Sequence, residues 1–231
     1  MRVLPRSLSE LLAEVPWVRT LPEPVRSRVM ADAYEQRYED GATVAHTGEP
    51  ASTWIGVLDG FLKVTITSLS GRMMVFTGIP AGSWVGEGSV LKREIRRYDI
   101  SAMRKSRVVH IPGATFRWLL DTDLEFTHFI MAHLNERLGQ YIGMVEIDRL
   151  TDPVAKIARS IGSLFNPVLY PTIQSLVPLS QSELGVLAGL SRQTANKCIK
   201  RLEREGLVSV EYGAIYVRDV VALKHYSARE T

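Results

Sequence analysis

Hydrophobic and polar positions follow three different rhythms along the chain. Residues 8 to 34 read as one or two short helices, interrupted by Pro16, Pro22 and Pro24. From Tyr38 to Pro112 the rhythm shortens. Runs rich in Val, Ile, Thr, Phe and Trp are separated by Glu39-Asp40-Gly41, Thr47-Gly48-Glu49-Pro50, Asp59-Gly60, Ser70-Gly71 and Pro80-Ala81-Gly82. Turn signals recurring at intervals of roughly ten residues predict an antiparallel barrel or sandwich rather than βαβ units. Asp59-Gly60, between Trp54–Leu58 and Phe61–Thr67, predicts a hairpin. After Pro112-Gly113 the pattern turns helical, with a short helix over Thr115–Leu120 and a long one over Leu124–Leu150. In the long helix Met131, Leu134, Leu138, Tyr141, Val145 and Asp148 alternate three and four apart, the rhythm of a coiled-coil seam. At 1.5 Å per residue it would run about 40 Å, more than a single small domain readily buries. Pairing with a second copy is the economical reading; packing against the chain's own barrel is the alternative.

Asp152-Pro153 reads as a boundary, an aspartate cap with proline in the first helical turn, opening a helix to about Phe165. A loop with three prolines, Asn166 to Pro178, follows. Ser180 with Glu183 three residues later is a capping box, and Gly189 ends the helix it opens. Ser191 caps the next helix, whose Ala195, Ile199 and Leu202 form an apolar stripe. Arg192, Gln193, Asn196, Lys197, Lys200, Arg201 and Arg204 lie largely on the other faces, and Gly206 closes the helix. Leu207–Val210 and Ile215–Val217 then predict a small hairpin with Tyr212-Gly213 near its tip. Helix, tight turn, basic helix and hairpin in this order define a winged helix-turn-helix. Its second helix fits the major groove of double-stranded DNA. Arg192 and Gln193 in its first turn, with Lys197 a turn later, suit base edges; Ser191, Lys200 and Arg201 suit phosphates, and Asn196 is a further DNA-binding candidate.

Charge agrees in its placement. The net charge is +3, and from Asp152 onward there are ten Lys/Arg against seven Asp/Glu, leaving eighteen of each in the first 151 residues. The whole excess lies where a polyanion would be met. Hydrophobic residues make up 45% and charged residues 23% of the 231 positions, which suits a globular chain with a real core. No run approaches the roughly 20 apolar residues of a membrane span, and Met1–Glu14 lacks a signal peptide's apolar stretch, so a cytoplasmic protein is expected. Cys198 is alone; no disulfide or cysteine cluster can form within one chain, and it reads as a small apolar residue on the packed side of its helix. His128 and His133 are five apart, on different helix faces, so no metal site is expected. No nucleophile–base arrangement, phosphate loop or metal motif points to an enzyme.

The residues carry a resemblance over nearly the whole chain. Leu179–Gly185, Gly189–Thr194 and Leu202–Val208 are similar to the helix-turn-helix of the cyclic AMP receptor protein and fumarate–nitrate reduction regulator (Crp/Fnr) superfamily. Gly41, Gly48, Gly60, Gly71 and Gly82, followed by Gly86-Glu87, resemble the glycines of that family's β-roll. The resemblance implies an α+β protein in three parts: an effector-sensing β-roll with flanking helices over 1–123, a dimerisation helix over 124–151, and a winged helix-turn-helix over 152–231. It further implies a homodimer that binds a palindromic operator, bends DNA and contacts RNA polymerase, with Met131, Leu134, Leu138, Tyr141 and Val145 at the dimer interface.

In cyclic-AMP-binding members a Gly-Glu pair opens a short helix, and an arginine followed by Ser or Thr comes after it. Amides and arginine hold the phosphate, and the glutamate takes the ribose hydroxyl. Gly86, Glu87, Gly88 and Ser89 match the first part, and Arg97 stands ten residues after Glu87, with Arg96 as the alternative. Tyr98 replaces the small hydroxyl residue, and Tyr141 and Ile142 fall where adenine would be contacted. A cyclic nucleotide, cyclic AMP first, is one candidate effector; another nucleotide, a different small anion, a plain Glu87–Arg97 ion pair, or no effector remain open. A nucleotide-responsive module docking on a protein instead of DNA is the rival function.

Overall fold

The computed structural model describes residues 6–67 and 73–227. The proposed Ser70-Gly71 turn lies outside them. In chain order the elements are α1 (Leu8–Ala13), α2 (Pro16–Thr20), α3 (Glu23–Asp32), β1 (Tyr34–Tyr38), β2 (Thr43–Ala45), β3 (Thr53–Asp59), β4 (Phe61–Thr67), β5 (Met73–Pro80) and β6 (Trp84–Val85). There follow α4 (Glu87–Lys92), β7 (Asp99–Ala102), β8 (Ser106–Pro112), α5 (Gly113–Thr122), α6 (Leu124–Asp148) and α7 (Pro153–Gly162). The C-terminal part holds β9 (Leu176–Val177), α8 (Gln181–Leu187), α9 (Arg192–Arg204), β10 (Val208–Glu211), β11 (Ala214–Val217) and α10 (Val220–Lys224). The contacts divide the chain into two compact units: Met1–Leu62 with Ala81–Asn135, and Lys63–Pro80 with Glu136–Thr231.

In the first unit a sheet of order β1-β8-β3-β6 is antiparallel throughout, with Tyr34 opposite His110, Ile55 opposite His110, and Ile55 opposite Val85. β2 pairs with β7, and Met103 N–H donates to the Phe61 carbonyl at 2.8 Å where β4 begins beside β7. The expected hairpin at Asp59-Gly60 is not one: β3 and β4 belong to different sheets. Gly60, at φ +93°, turns the chain from one sheet into the other so close to β8 that a Cβ would sit 2.3 Å from Ser106 Oγ. The dipeptide signals a tight turn; it cannot tell a hairpin from a corner.

Aromatic residues fill the core of this unit. Trp54 lies tilted against Trp84, ring centres 4.2 Å apart, and against Trp17 at 5.2 Å, with Phe116 and Phe126 against the same ring. Leu12, Val18 and Leu21 of the N-terminal helices seal the cluster. The stretch read as one or two helices is three, because Pro16 opens α2 and Pro22 sits at the N-cap of α3, with Pro24 in its first turn. Each fully buried large apolar side chain contributes roughly 1.5–3 kcal/mol.

In the second unit, β4 and β5 are neighbouring strands. Asp152 caps α7 as expected, its carboxylate accepting from the amides of Val154 and Ala155 at 3.0 and 3.1 Å. The Ser180–Glu183 capping box is present, with Glu183 N–H donating to Ser180 Oγ at 3.3 Å and Ser180 N–H to the Glu183 carboxylate at 2.7 Å. The proline-rich loop hides a strand: β9 pairs with β11, Val177 opposite Ile215, so the wing sheet has order β10-β11-β9. No helix among the described residues is long and apolar enough to cross a membrane.

Candidate effector site and nucleic-acid interface

Gly86 and Glu87 open α4 in the first unit. Gly86 takes φ +96°, and Glu87 and Ser89 are buried beside it, while nothing stands within 4 Å of a Cβ at Gly88. The two adjacent arginines point opposite ways. Arg97 is 76% exposed and reaches Glu94 at 3.4 Å, a carboxylate that Lys92 also holds at 2.7 Å. Arg96 is 2% exposed and lies against Gly86, where a Cβ would come within 2.8 Å of its Nη1. Its Nη2 donates to the Thr53 carbonyl at 2.6 Å, and Nη1 has no hydrogen-bond partner among the described residues. Burial pulls the guanidinium pKa down, and the hydrogen-bonded Tyr98 and the charge of Glu49 partly restore it. The arginine beside the Gly-Glu pair is therefore Arg96, and Tyr98 is bound to it.

His110 extends this polar site. It is buried, accepts or donates at Nε2 to Tyr38 Oη (3.3 Å) and at Nδ1 to Thr53 Oγ1 (3.1 Å), and stacks on Tyr34 at 5.0 Å. Burial, reinforced by the charge of Arg96, pushes its pKa down to about 4, so the ring is neutral at pH 7. Sequence spacing did not single out Arg96 first or His110 at all, because only the pleat decides which neighbour turns inward.

On α6 the seam residues divide. Met131, Leu138, Tyr141 and Val145 are exposed, and Leu124 and Ile142 join them. Leu134 instead packs against the aromatic core of the first unit. Tyr141 stands edge-on to Phe76 at 5.7 Å. Among the described residues nothing stands within 4 Å of a Cβ built at Gly139 or Gly143. His128 is exposed and His133 buried, and no cluster of metal-ligating residues occurs among the described residues.

In the second unit α9 presents one apolar and one charged side. Ala195, Cys198, Ile199 and Leu202 are buried; Arg192, Gln193, Lys197 and Lys200 are exposed, and Asn196 and Arg201 are partly so. Ser191 Oγ accepts from Thr194 N–H at 3.2 Å and meets Thr194 Oγ1 at 2.8 Å, so this hydroxyl serves the helix cap. Arg201 is engaged by Glu205 at 2.9 Å. Burial raises the pKa of the Cys198 thiol, as expected for a residue on the packed side. Tyr212 is fully exposed at the turn between β10 and β11. The wing is held to α9 by Val210 N–H donating to Glu203 Oε1 at 3.0 Å.

A β-roll with a Gly-Glu helix start, together with a capped winged helix-turn-helix, is the architecture of a DNA-binding transcription regulator. Residues 35–123 match the cyclic nucleotide-binding domain model, and residues 155–226 match the Crp-like helix-turn-helix domain model. The chain belongs to the Crp/Fnr superfamily of transcription regulators. It is 25% identical over 202 residues to the cAMP-activated global transcriptional regulator CRP of Haemophilus influenzae, covering 86% of this chain and 90% of that one. The fold is similar to that of FixK2 from Bradyrhizobium japonicum, with a TM-score of 0.67, 16% identity, and coverage of 86% and 99%. It is also similar to that of CLP from Xanthomonas campestris, a c-di-GMP responsive global regulator, with a TM-score of 0.60, 22% identity, and coverage of 86% and 100%.

Proposed function

We propose that this protein is a homodimeric, cytoplasmic, sequence-specific DNA-binding regulator whose β-roll takes a small anionic effector and which acts together with RNA polymerase. The observation that carries the reading is α9 itself. A cap at Ser191 and an apolar underside lock the helix in place, so Arg192, Gln193 and Lys197 stand exposed together where base edges would be met. For the effector, the support is Arg96: a buried guanidinium nitrogen beside Gly86, without a partner among the described residues, is a place where an anionic oxygen would gain a charge-assisted hydrogen bond. A cyclic nucleotide fits that requirement through its phosphate, and the relatives named for cyclic AMP and c-di-GMP mark the class to try first. For the dimer, the support is the exposed apolar line Leu124, Met131, Leu138 and Val145, seven residues apart throughout.

The deciding experiment selects duplexes from a random pool with the purified chain and titrates the winner and a scrambled duplex over a range of salt. Arg192→Ala should cost about 1–3 kcal/mol on the selected duplex and much less on the scrambled one. An equal loss on both would reduce Arg192 to a phosphate contact, and no salt-dependent binding at all would favour a protein-docking role.

A further inference from the structure

The second unit contains a buried polar cluster that neither DNA reading nor effector binding uses. Gln140 on α6 donates from Nε2 to the hydroxyls of Thr77 on β5, at 3.2 Å, and of Tyr170, while its Oε1 accepts from Arg137 Nη1 at 2.8 Å. Thr77 Oγ1 and Tyr170 Oη lie 2.8 Å apart, and Thr77, Arg137 and Tyr170 are all buried. One turn before Gln140, Glu136 accepts from Asn166 Nδ2 at 2.7 Å. Asn166 in turn closes its own loop, Oδ1 accepting from the amides of Val168 and Leu169 at 3.0 Å. Segment 166–170, just past α7, is thus tied by side chains to α6 and to β5, 30 and 93 residues earlier in the chain.

Packing does not hold the same elements so firmly. A cavity of about 700 Å³ lies among β5, α6, α7 and α8, walled by Met73, Phe76, Met144, Leu164 and Leu187, with Thr77 at its edge. Methionines around open space adapt to several arrangements, whereas hydrogen bonds buried from water have fixed lengths and directions. The cluster also sits on the right side of α6. Arg137, Gln140 and Met144 share one face, and the exposed Leu138, Ile142 and Val145 occupy the other.

We infer that Gln140, with Thr77 and Tyr170, is a positioning latch that sets the DNA-reading domain at one angle to the pairing face of α6. On a two-fold-symmetric duplex that angle determines whether the second recognition helix reaches its half-site while the first is bound. The inference rests on the reading of the chain as a dimer on paired half-sites.

The test uses the full chain with Gln140→Leu, Thr77→Val and Tyr170→Phe, the last removing a single oxygen. Each is titrated by fluorescence anisotropy against the duplex selected by the unmodified chain and against the same duplex with one half-site scrambled. Losing the latch lowers the effective concentration of the second helix, so affinity for the intact palindrome should fall about tenfold and half-site affinity by less than about twofold. The Thr77→Val/Gln140→Leu double variant should lose little more than either single variant. Tyr170→Phe should keep the circular dichroism and unfolding temperature of the unmodified chain. Equal losses on both duplexes, or unchanged affinity for the palindrome in Thr77→Val and Tyr170→Phe, would overturn the latch. Failure of the unmodified chain to select any duplex would overturn the DNA-binding reading instead.

Discussion

At the scale of single residues, the decisive choice is between neighbours. Arg96 and Arg97 are chemically identical, yet one turns under Gly86 and the other into water beside Glu94. Extended backbone sends successive side chains to opposite faces, so a shift of one position in a loop exchanges them. His110 shows how such a buried site responds to acid. Its folded pKa, about 4, lies below the ordinary 6.5, so the unfolded chain binds a proton first as pH falls. Stability contributed by the neutral ring is complete above about pH 6.5, declines as pH drops, and is fully lost below about pH 4. Urea unfolding at pH 7 and at about pH 4.5 should differ by about 2–3 kcal/mol from this residue alone. In His110→Asn that part of the difference should vanish; an unchanged pH dependence would show that the ring is solvated or paired in another way.

At the scale of elements, caps and periodicity do most of the specifying. Ser180 with Glu183, Ser191, and Asp152 with Pro153 announce α8, α9 and α7 in the sequence, and each makes its expected backbone hydrogen bonds. Local chemistry of this kind reads well because its partners are three residues away. The heptad of α6 reads less completely. It marks a helix with an apolar line, but Leu134 turns toward the chain's own core while Met131, Leu138 and Val145 remain outside. Placing a carboxylate in the exposed line should separate subunits without unfolding them. Leu138→Asp is expected to halve the mass seen by light scattering, with the helical circular dichroism retained. A dimer of unchanged mass would place the contact elsewhere on the molecule.

At the scale of the whole molecule, the contacts form two compact units, and each gathers segments distant in the chain. Residues 63–80 group with the DNA-reading domain and the second half of α6, not with the rest of the β-roll. The strands before and after that segment belong to the unit that holds Arg96. An effector there and a duplex on α9 would thus act on different units. Calorimetric titration with cyclic AMP tests the first half of that scheme. Binding should be saturable, be lost in Arg96→Ala, and persist in Arg97→Ala. The opposite result for the two variants would return the anion-holding role to Arg97, and heat from neither would direct the titration to c-di-GMP and other anions.

Legible in the chain alone are the succession of N-terminal helices, strand-rich segment and long apolar-striped helix, and the winged helix-turn-helix with its Arg192, Gln193 and Lys197. These depend on caps, turns and periodicity, interactions whose range is a few residues. Tertiary packing makes Asp59-Gly60 a corner, adds Leu176–Val177 to the wing as a strand, turns Arg96 inward, and brings Gln140 to Thr77 and Tyr170. Each of those depends on groups 30 to 93 residues apart or on which sheet a strand joins. Packing and long-range pairing set such choices, and no local pattern of residue types records them.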